Sequence, residues 1–222
     1  MPSIEIQYKA RELGHYLSKL DHIRDRRGNE SAQRIILELA EDIFLSDCKH
    51  AERLLLDEMI WRKIFLPQIQ TAKLELERGN QLIPNSATDN MARSLKMAST
   101  FYRLLVLELS HQYGLDLSCI GSVSATSTND ERYALSIVYK SLILLGDVDR
   151  FSNAYSATRK TWKRSGEYYR KAFHINPSGG KPHSHMGLLA SYEGNNLDTF
   201  YYYSLRFAFS NLVWAMYRLP KK

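Results

Sequence analysis

The feature that most constrains this chain is the period of its apolar residues, which return every three or four positions almost from end to end. That period buries one face of an α-helix, and nowhere is there a convincing run of the strict alternation that buries one face of a strand. Residues 3–25 set the pattern with Ile4, Ala10, Leu13, Leu17, Leu20 and Ile23 on one stripe. Gly28 and Asn29 break it, and a second helix is predicted from Glu30 to about Leu45, with Ile35, Ile36, Leu39, Ile43 and Phe44 turned inward. Ser46 and Asp47 are N-cap candidates for a long third helix over about 48–78, whose contacts come from Leu54, Leu55, Met59, Trp61, Ile64, Phe65, Ile69, Leu74 and Leu76. Pro67 lies inside it and predicts a kink, because proline removes a donor and its ring meets the carbonyl four residues back.

The stretch RGNQLIPNSATD reads as a loop, with Thr88 or Asp89 capping a fourth helix that ends at Gly114. Residues 115–130, rich in serine and threonine, read as a mobile loop. Four more helices follow: from near Asp130 to Ser156, from Thr158 to Ile175, from Pro182 to Tyr192, and from Leu197, capped by Asn196, to just before Pro220. Short connections between helices favour antiparallel hairpins stacked side by side, so the fold class is all-α and the 222 residues form a single domain. A tetratricopeptide-like (TPR-like) unit is predicted over about 158–210. Trp162, Gly166, Tyr169 and Ala172 precede Pro177, and Leu189, Ala190, Gly194 and Tyr201 follow, small residues letting two helices cross closely.

No catalytic constellation assembles from these residues. Gly179-Gly180-Lys181 ends like a phosphate loop, but Ile175 stands where its first glycine belongs and Pro182 replaces the magnesium-binding hydroxyl. His183 and His185 are two apart, which points them to different sides of a helix, and Cys48-Lys49-His50 makes no better metal site. The reading is therefore a binding module, not an enzyme, with no metal and no cofactor. Two distant cysteines, Cys48 and Cys119, fit reduced thiols, and no run of 18 apolar residues offers a membrane span. A cytoplasmic protein able to enter the nucleus is expected. The net charge of +6 permits acidic or phosphorylated partners without demanding them.

Four blocks carry a family resemblance: LLLDEMIWRKIF (54–65), ASTFYRLLVLELSHQYGLDLSC (98–119), LILLGDVDRFSN (142–153), and the run from YYRKAFHINPSGGKPHSH to YYYSLRFAFSN. In order and spacing they resemble the 14-3-3-like, TPR-like domain of the nonsense-mediated mRNA decay adaptors, the SMG-five and SMG-seven type. Telomerase-associated proteins of the ever-shorter-telomere type belong to the same wider group. The resemblance implies eight or nine antiparallel helices around a concave groove that holds phosphoserine with convergent cations, as charge-assisted hydrogen bonds require.

Carried over to this sequence, Arg150 in LGDVDR matches the groove arginine, followed by Phe151 where a tyrosine is usual. Leu66 stands at the groove lysine and Ser184 at the groove asparagine, while Lys63 and Lys73, one turn before and two turns beyond Leu66, are candidate substitutes. Trp61-Arg62-Lys63 with the missing lysine is most similar to the SMG-five type, a heterodimer partner. The family's adaptors pair back to back through the fourth helix, which implies an interface at Ser94, Ala98, Ser99, Thr100, Phe101, Tyr102 and Leu105; Thr100 replaces a small glycine. The expected function is thus a decay-adaptor interaction module that heterodimerises with a paralogous phosphopeptide-binding 14-3-3-like protein. Two alternatives stay open: a phosphoserine reader of a phosphorylated RNA helicase, and a telomerase accessory domain touching nucleic acid through RKTWKRSGEYYRK (159–171).

Overall fold

The structure, a computed structural model, describes residues 2–20, 22, 26–77, 84–117, 128–155 and 161–218, without the side chains of 26–27, 84–86 and 210–218. Every regular element among them is helical: α1 (Ile4–Leu20), α2 (Arg26–Ser46), α3 (Cys48–Arg53), α4 (Leu56–Ile60), a π-turn (Trp61–Phe65), α5 (Leu66–Glu77), α6 (Pro84–Tyr113), α7 (Asn129–Ala154), α8 (Lys163–Ile175), α9 (Gly180–Tyr192) and α10 (Asn196–Arg218). Helices next to one another in the chain pack on one another, α1 on α2, α5 on α6, α6 on α7, α7 on α8, α8 on α9 and α9 on α10, as in stacked helical hairpins. None of these helices is long and apolar enough to cross a membrane.

The predicted third helix is broken twice. Leu55 adopts a left-handed conformation, φ 50° and ψ 43°, which ends α3 and restarts the chain as α4. The segment 61–65 then winds as a π-turn, and the Leu66 N–H reaches the Trp61 carbonyl five residues back. Pro67 does not mark an isolated kink; the widened turn sits just ahead of it, where its ring would otherwise crowd the Lys63 carbonyl. Leu55 and Leu74, expected inside, are about half exposed along this broken segment. Ile4, also expected inside, is 88% exposed at the start of α1, and Ile6 is buried there instead. Ile23 lies outside the described residues.

Caps explain most of the remaining boundaries. Asp47 accepts from the His50 N–H at 2.8 Å, and Thr128 and Glu131 form a reciprocal capping box at the start of α7. Helix α2 begins before Gly28, not after it, and α6 begins at Pro84, a first-turn proline whose missing N–H costs nothing there. Thr88 and Asp89 are therefore inside α6. It ends as expected at Gly114, φ +58°, with the Leu115 N–H bonded to the Ser110 carbonyl. Of the expected loop 115–130, residues 118–127 lie outside the described residues, Leu115 and Leu117 pack on the core, and Asn129–Asp130 are already helix. Asn195, not Asn196, caps α10, its side chain accepting from the Asp198 N–H at 3.1 Å.

The core runs along α7, which buries Ala134, Leu135, Ile137, Val138, Leu142, Ile143 and Leu145 between α3, α6 and α8. Phe44, Phe65, Phe101 and Tyr102 interlock beside it, with ring centroids 5.1–6.5 Å apart. Gly146 lets α8 come close: a Cβ there would run into the Tyr169 ring.

Candidate functional site

Three helical stripes enclose a groove of about 640 Å³. The α4 and π-turn wall supplies Asp57, Glu58, Trp61, Arg62 and Leu66; α7 supplies Lys140, Ile143, Leu144 and Asp147, positions spaced by three and four. The third wall is the first half of α9, with Lys181, Ser184 and His185, closed by Arg206 of α10.

The floor is a charge network. Lys140 donates to both oxygens of Glu52 at 2.9 Å and lies 3.6 Å from Asp57, while Ser136 also donates to Glu52 at 3.0 Å. The break at Leu55 makes this possible, since on one unbroken helix Glu52 and Asp57 would point about 140° apart. Burial works against the charge of Lys140, but its bond to Glu52 and the nearby Asp57 hold its pKa above the ordinary lysine value. Asp57, 1% exposed, is pushed up by desolvation, with Lys140 pulling the other way.

Next to it, Asp147 Oδ1 collects Arg150 at 3.0 Å, the Tyr169 hydroxyl at 2.9 Å and His185 Nδ1 at 3.3 Å. His185 stacks on Tyr169 at 4.8 Å and 19°. Burial lowers the His185 pKa, with the Asp147 charge opposing, and raises that of Tyr169. Arg150 is thus held beneath the groove against Asp147 and over the Phe151 ring, 4.6 Å to its centroid, and does not line the groove. At the rim Arg62 and Lys181 share Glu58, at 3.5 and 3.7 Å. Arg206 has no ion pair among the described residues.

Leu66 and Ser184 line this groove. Lys63 and Lys73 do not. The π-turn adds residues to the winding between Lys63 and Leu66 and rotates Lys63 out to solvent, while Lys73 lies about 10 Å further along α5 and pairs with Glu77 at 3.6 Å. Sequence reasoning missed Lys140, Asp57, His185 and Arg206. The available signal was Lys140 and Asp147 bracketing Ile143 and Leu144 on one stripe of an otherwise apolar helix.

The expected interface on α6 divides. Ser94 donates to Gln68 at 2.8 Å, and Ala98, Phe101, Tyr102 and Leu105 are buried in the domain's own core, Tyr102 donating to the Asp57 carbonyl at 3.2 Å. None of these five stands on the exposed ridge of α6. Ser99 is half-buried and Thr100 exposed, and the solvent ridge of α6 continues through Arg103, Leu104 and Leu107, the leucines 46% and 62% exposed. The ridge is offset because Phe101 and Leu105 already take the inward face. On α8, Lys163, Arg164, Arg170 and Lys171 face solvent; Tyr169 is core and Trp162 packs on Tyr192 at 5.0 Å, so of the three rings only Tyr168, half-buried with Arg164 6.0 Å from its centroid, lies beside a cation. Among the described residues no group of three or more His, Cys, Asp or Glu converges on a metal-sized site.

Antiparallel hairpins, a concave groove between their helices and a TPR-like C-terminal pair define a 14-3-3-like helical scaffold. Residues 55–156 match the family described as telomerase activating protein Est1, and residues 165–206 that described as the Est1 DNA/RNA binding domain. The chain is 27% identical over 188 residues to nonsense-mediated mRNA decay factor SMG7 of Danio rerio, covering 78% of this chain and 15% of the relative. It is 24% identical to telomerase-binding protein EST1A of Danio rerio over 94% of this chain and 15% of the relative, and 25% identical to human SMG5 over 66% and 16%. A structure of the C. elegans SMG5–SMG7 complex superposes with a TM-score of 0.65 at 18% identity, over 92% of this chain and 48% of that one. The chain is similar along most of its length to EST1-related, 14-3-3-like domains of the SMG5/SMG7 type. It spans about 15% of the length of the curated relatives.

Proposed function

We propose that this domain is an interaction module of a nonsense-mediated mRNA decay adaptor, and that it pairs with a paralogous 14-3-3-like domain through the exposed ridge of α6. The observation that carries this reading is the ridge itself: Leu104 and Leu107, one turn apart, stand open to solvent on a helix whose other large apolar residues are buried or half-buried. Apolar anchors rimmed by Thr100 and Arg103 have the composition of an interface core and its edge. The solved SMG5–SMG7 complex supports a partner of the same fold. The test is co-purification with a paralogous domain and mass by light scattering. Leu107→Asp is expected to abolish the pair and leave the circular dichroism unchanged; a retained pair moves the interface elsewhere.

A second reading, a phosphoserine reader of an RNA helicase, is favoured by the cations Arg62, Lys140, Lys181 and Arg206 around the groove. Three of the four already face carboxylates, and Arg150 is neutralised by Asp147, so weak or absent phosphopeptide binding is expected. Each missing charge-assisted bond costs about 1.5–3 kcal/mol. Micromolar binding of a phosphorylated helicase peptide at low salt, lost in Arg206→Ala, would establish the second reading instead.

A further inference from the structure

A second groove, on the face formed by α2, α5 and α6, has no part in either reading. It encloses about 720 Å³. Its walls are helical stripes: Glu30, Arg34, Leu37, Glu38 and Glu41 of α2; Pro67, Gln68, Thr71, Ala72 and Glu75 of α5; Asn90, Arg93, Ser94 and Met97 of α6. From Asn29 to Glu41 the α2 wall runs about 18 Å, some three helical turns.

Two properties select the occupant. The first is charge. Glu38, Glu41 and Glu75 have no ion pair among the described residues, and the one pair that spans the groove, Arg93–Glu30 at 3.8 Å, leaves Arg34 as the single unpaired cation. Three unpaired carboxylates against one guanidinium make this groove acidic, on a chain whose net charge is +6.

The second is hydrogen bonding. Four polar groups of the floor are bonded in a chain, Asn29, Gln33, Gln68 and Ser94. Gln33 donates to Asn29, Gln68 donates to Gln33 at 3.0 Å and to the Ile64 carbonyl at 2.9 Å, and Ser94 donates to Gln68 at 2.8 Å. Both amide hydrogens of Gln68 and the Ser94 hydroxyl hydrogen are spent, so the centre of the floor has no donor left for the open backbone of an extended peptide. A helix brings its backbone hydrogen bonds already made, and presents only side chains. Leu37, Ala72 and Met97 give those side chains an apolar bed, Met97 with the adaptability of an unbranched thioether.

We infer that this groove docks an amphipathic helix of a partner protein, with aliphatic residues at helical spacing laid over Leu37, Ala72 and Met97 and with arginine or lysine reaching Glu38, Glu41 and Glu75. This is the helix-in-groove mode of recognition. It stands apart from the α6 ridge, since Leu104 and Leu107 are outside the groove.

The experiment uses the full chain and a fluorescein-labelled, end-capped 14-residue helical peptide of leucine and arginine arranged amphipathically. Three control peptides accompany it: glutamate in place of arginine, serine in place of leucine, and the same composition with central prolines that prevent a helix. The expected result is saturable binding of the first peptide, weakened about tenfold or more for each control and by Glu38→Lys/Glu41→Lys/Glu75→Lys in the protein, unchanged in Leu107→Asp. Backbone amide shifts on adding peptide should map to α2, α5 and α6. The three glutamates lie on the rim, so the variant is expected to keep its fold, checked by circular dichroism. Equal affinity for the proline peptide, equal binding by the triple variant, no binding at all, or shifts confined to the α7–α10 groove each overturns the proposal.

Discussion

His183 is the clearest case of a side chain whose cost depends on pH. It is 3% exposed, neither ring nitrogen has a hydrogen-bond partner among the described residues, and it stacks between Phe209, at 5.2 Å and 7°, and the edge of Phe173. Burial lowers its pKa below the ordinary value near 6.5, so the unfolded chain takes up the proton first. Stability is therefore full above that value and falls as pH drops below it. His185 shifts the same way. Thermal melts from pH 8 to 5 should show the loss, and His183→Phe should reduce its slope while costing little at pH 8. An unchanged slope in the variant assigns the effect to other groups.

Lys140 makes the complementary point about paired charge. Removing it leaves Asp57, 1% exposed, and Glu52 without their counterion. Lys140→Ala is expected to destabilise by about 3 kcal/mol, because an uncompensated buried carboxylate costs more than the ion pair gains. Denaturant titration measures it, and a loss under about 1 kcal/mol would mean that water reaches Asp57 from the groove.

At the scale of elements, the interrupted helix α3–α4–α5 is the device that builds the groove. Leu55 holds a left-handed conformation that costs a leucine about 1–2 kcal/mol, and half of its side chain is in solvent. Glycine adopts that conformation freely, at an unfolded-state cost of about 0.4–1 kcal/mol. Leu55→Gly is thus expected to raise stability slightly, by about 0.5 kcal/mol, read as a small upward shift in melting temperature. Destabilisation beyond about 1 kcal/mol would show that the buried half of the leucine dominates. The break was not legible in sequence, since Leu54, Leu55 and Leu56 all suit a helix interior and neither glycine nor proline marks the site. Caps with side-chain oxygens were legible: Asp47 at α3 follows from composition alone, because its side chain bonds locally.

Across the whole molecule, α7 couples the N-terminal hairpins to the TPR-like pair, and Gly146 sets the closeness of that joint. Gly146→Ala would force its methyl into the Tyr169 ring, which also carries a hydrogen bond to Asp147. Overpacking of this kind costs about 1–3 kcal/mol, or roughly 2–4 °C of melting temperature per kcal/mol for a domain of this size. Differential scanning calorimetry should show it, and Tyr169→Phe in the same background should not rescue it, since the ring and not the hydroxyl makes the clash. A neutral Gly146→Ala would mean that α8 slides along α7 at no cost.

The periodicity of apolar residues by itself determined the all-helical class, the hairpin order and most helix ends, because those depend on residues within a turn or two of one another. Residue-by-residue resemblance pointed to Leu66, Ser184 and the Arg150 motif; the first two line the α7 groove and Arg150 lies beneath it. Tertiary structure decided which side chains face it. A left-handed leucine and a π-turn rotate Lys63 away and bring Glu52 and Asp57 onto Lys140; close packing of α7 on α8 binds Arg150 to Asp147; and the inward face of α6 claims Phe101, Tyr102 and Leu105, leaving Leu104 and Leu107 outside. The direction of a side chain is the sum of every turn before it, so one irregular residue redirects all that follow, and local sequence carries no record of that sum.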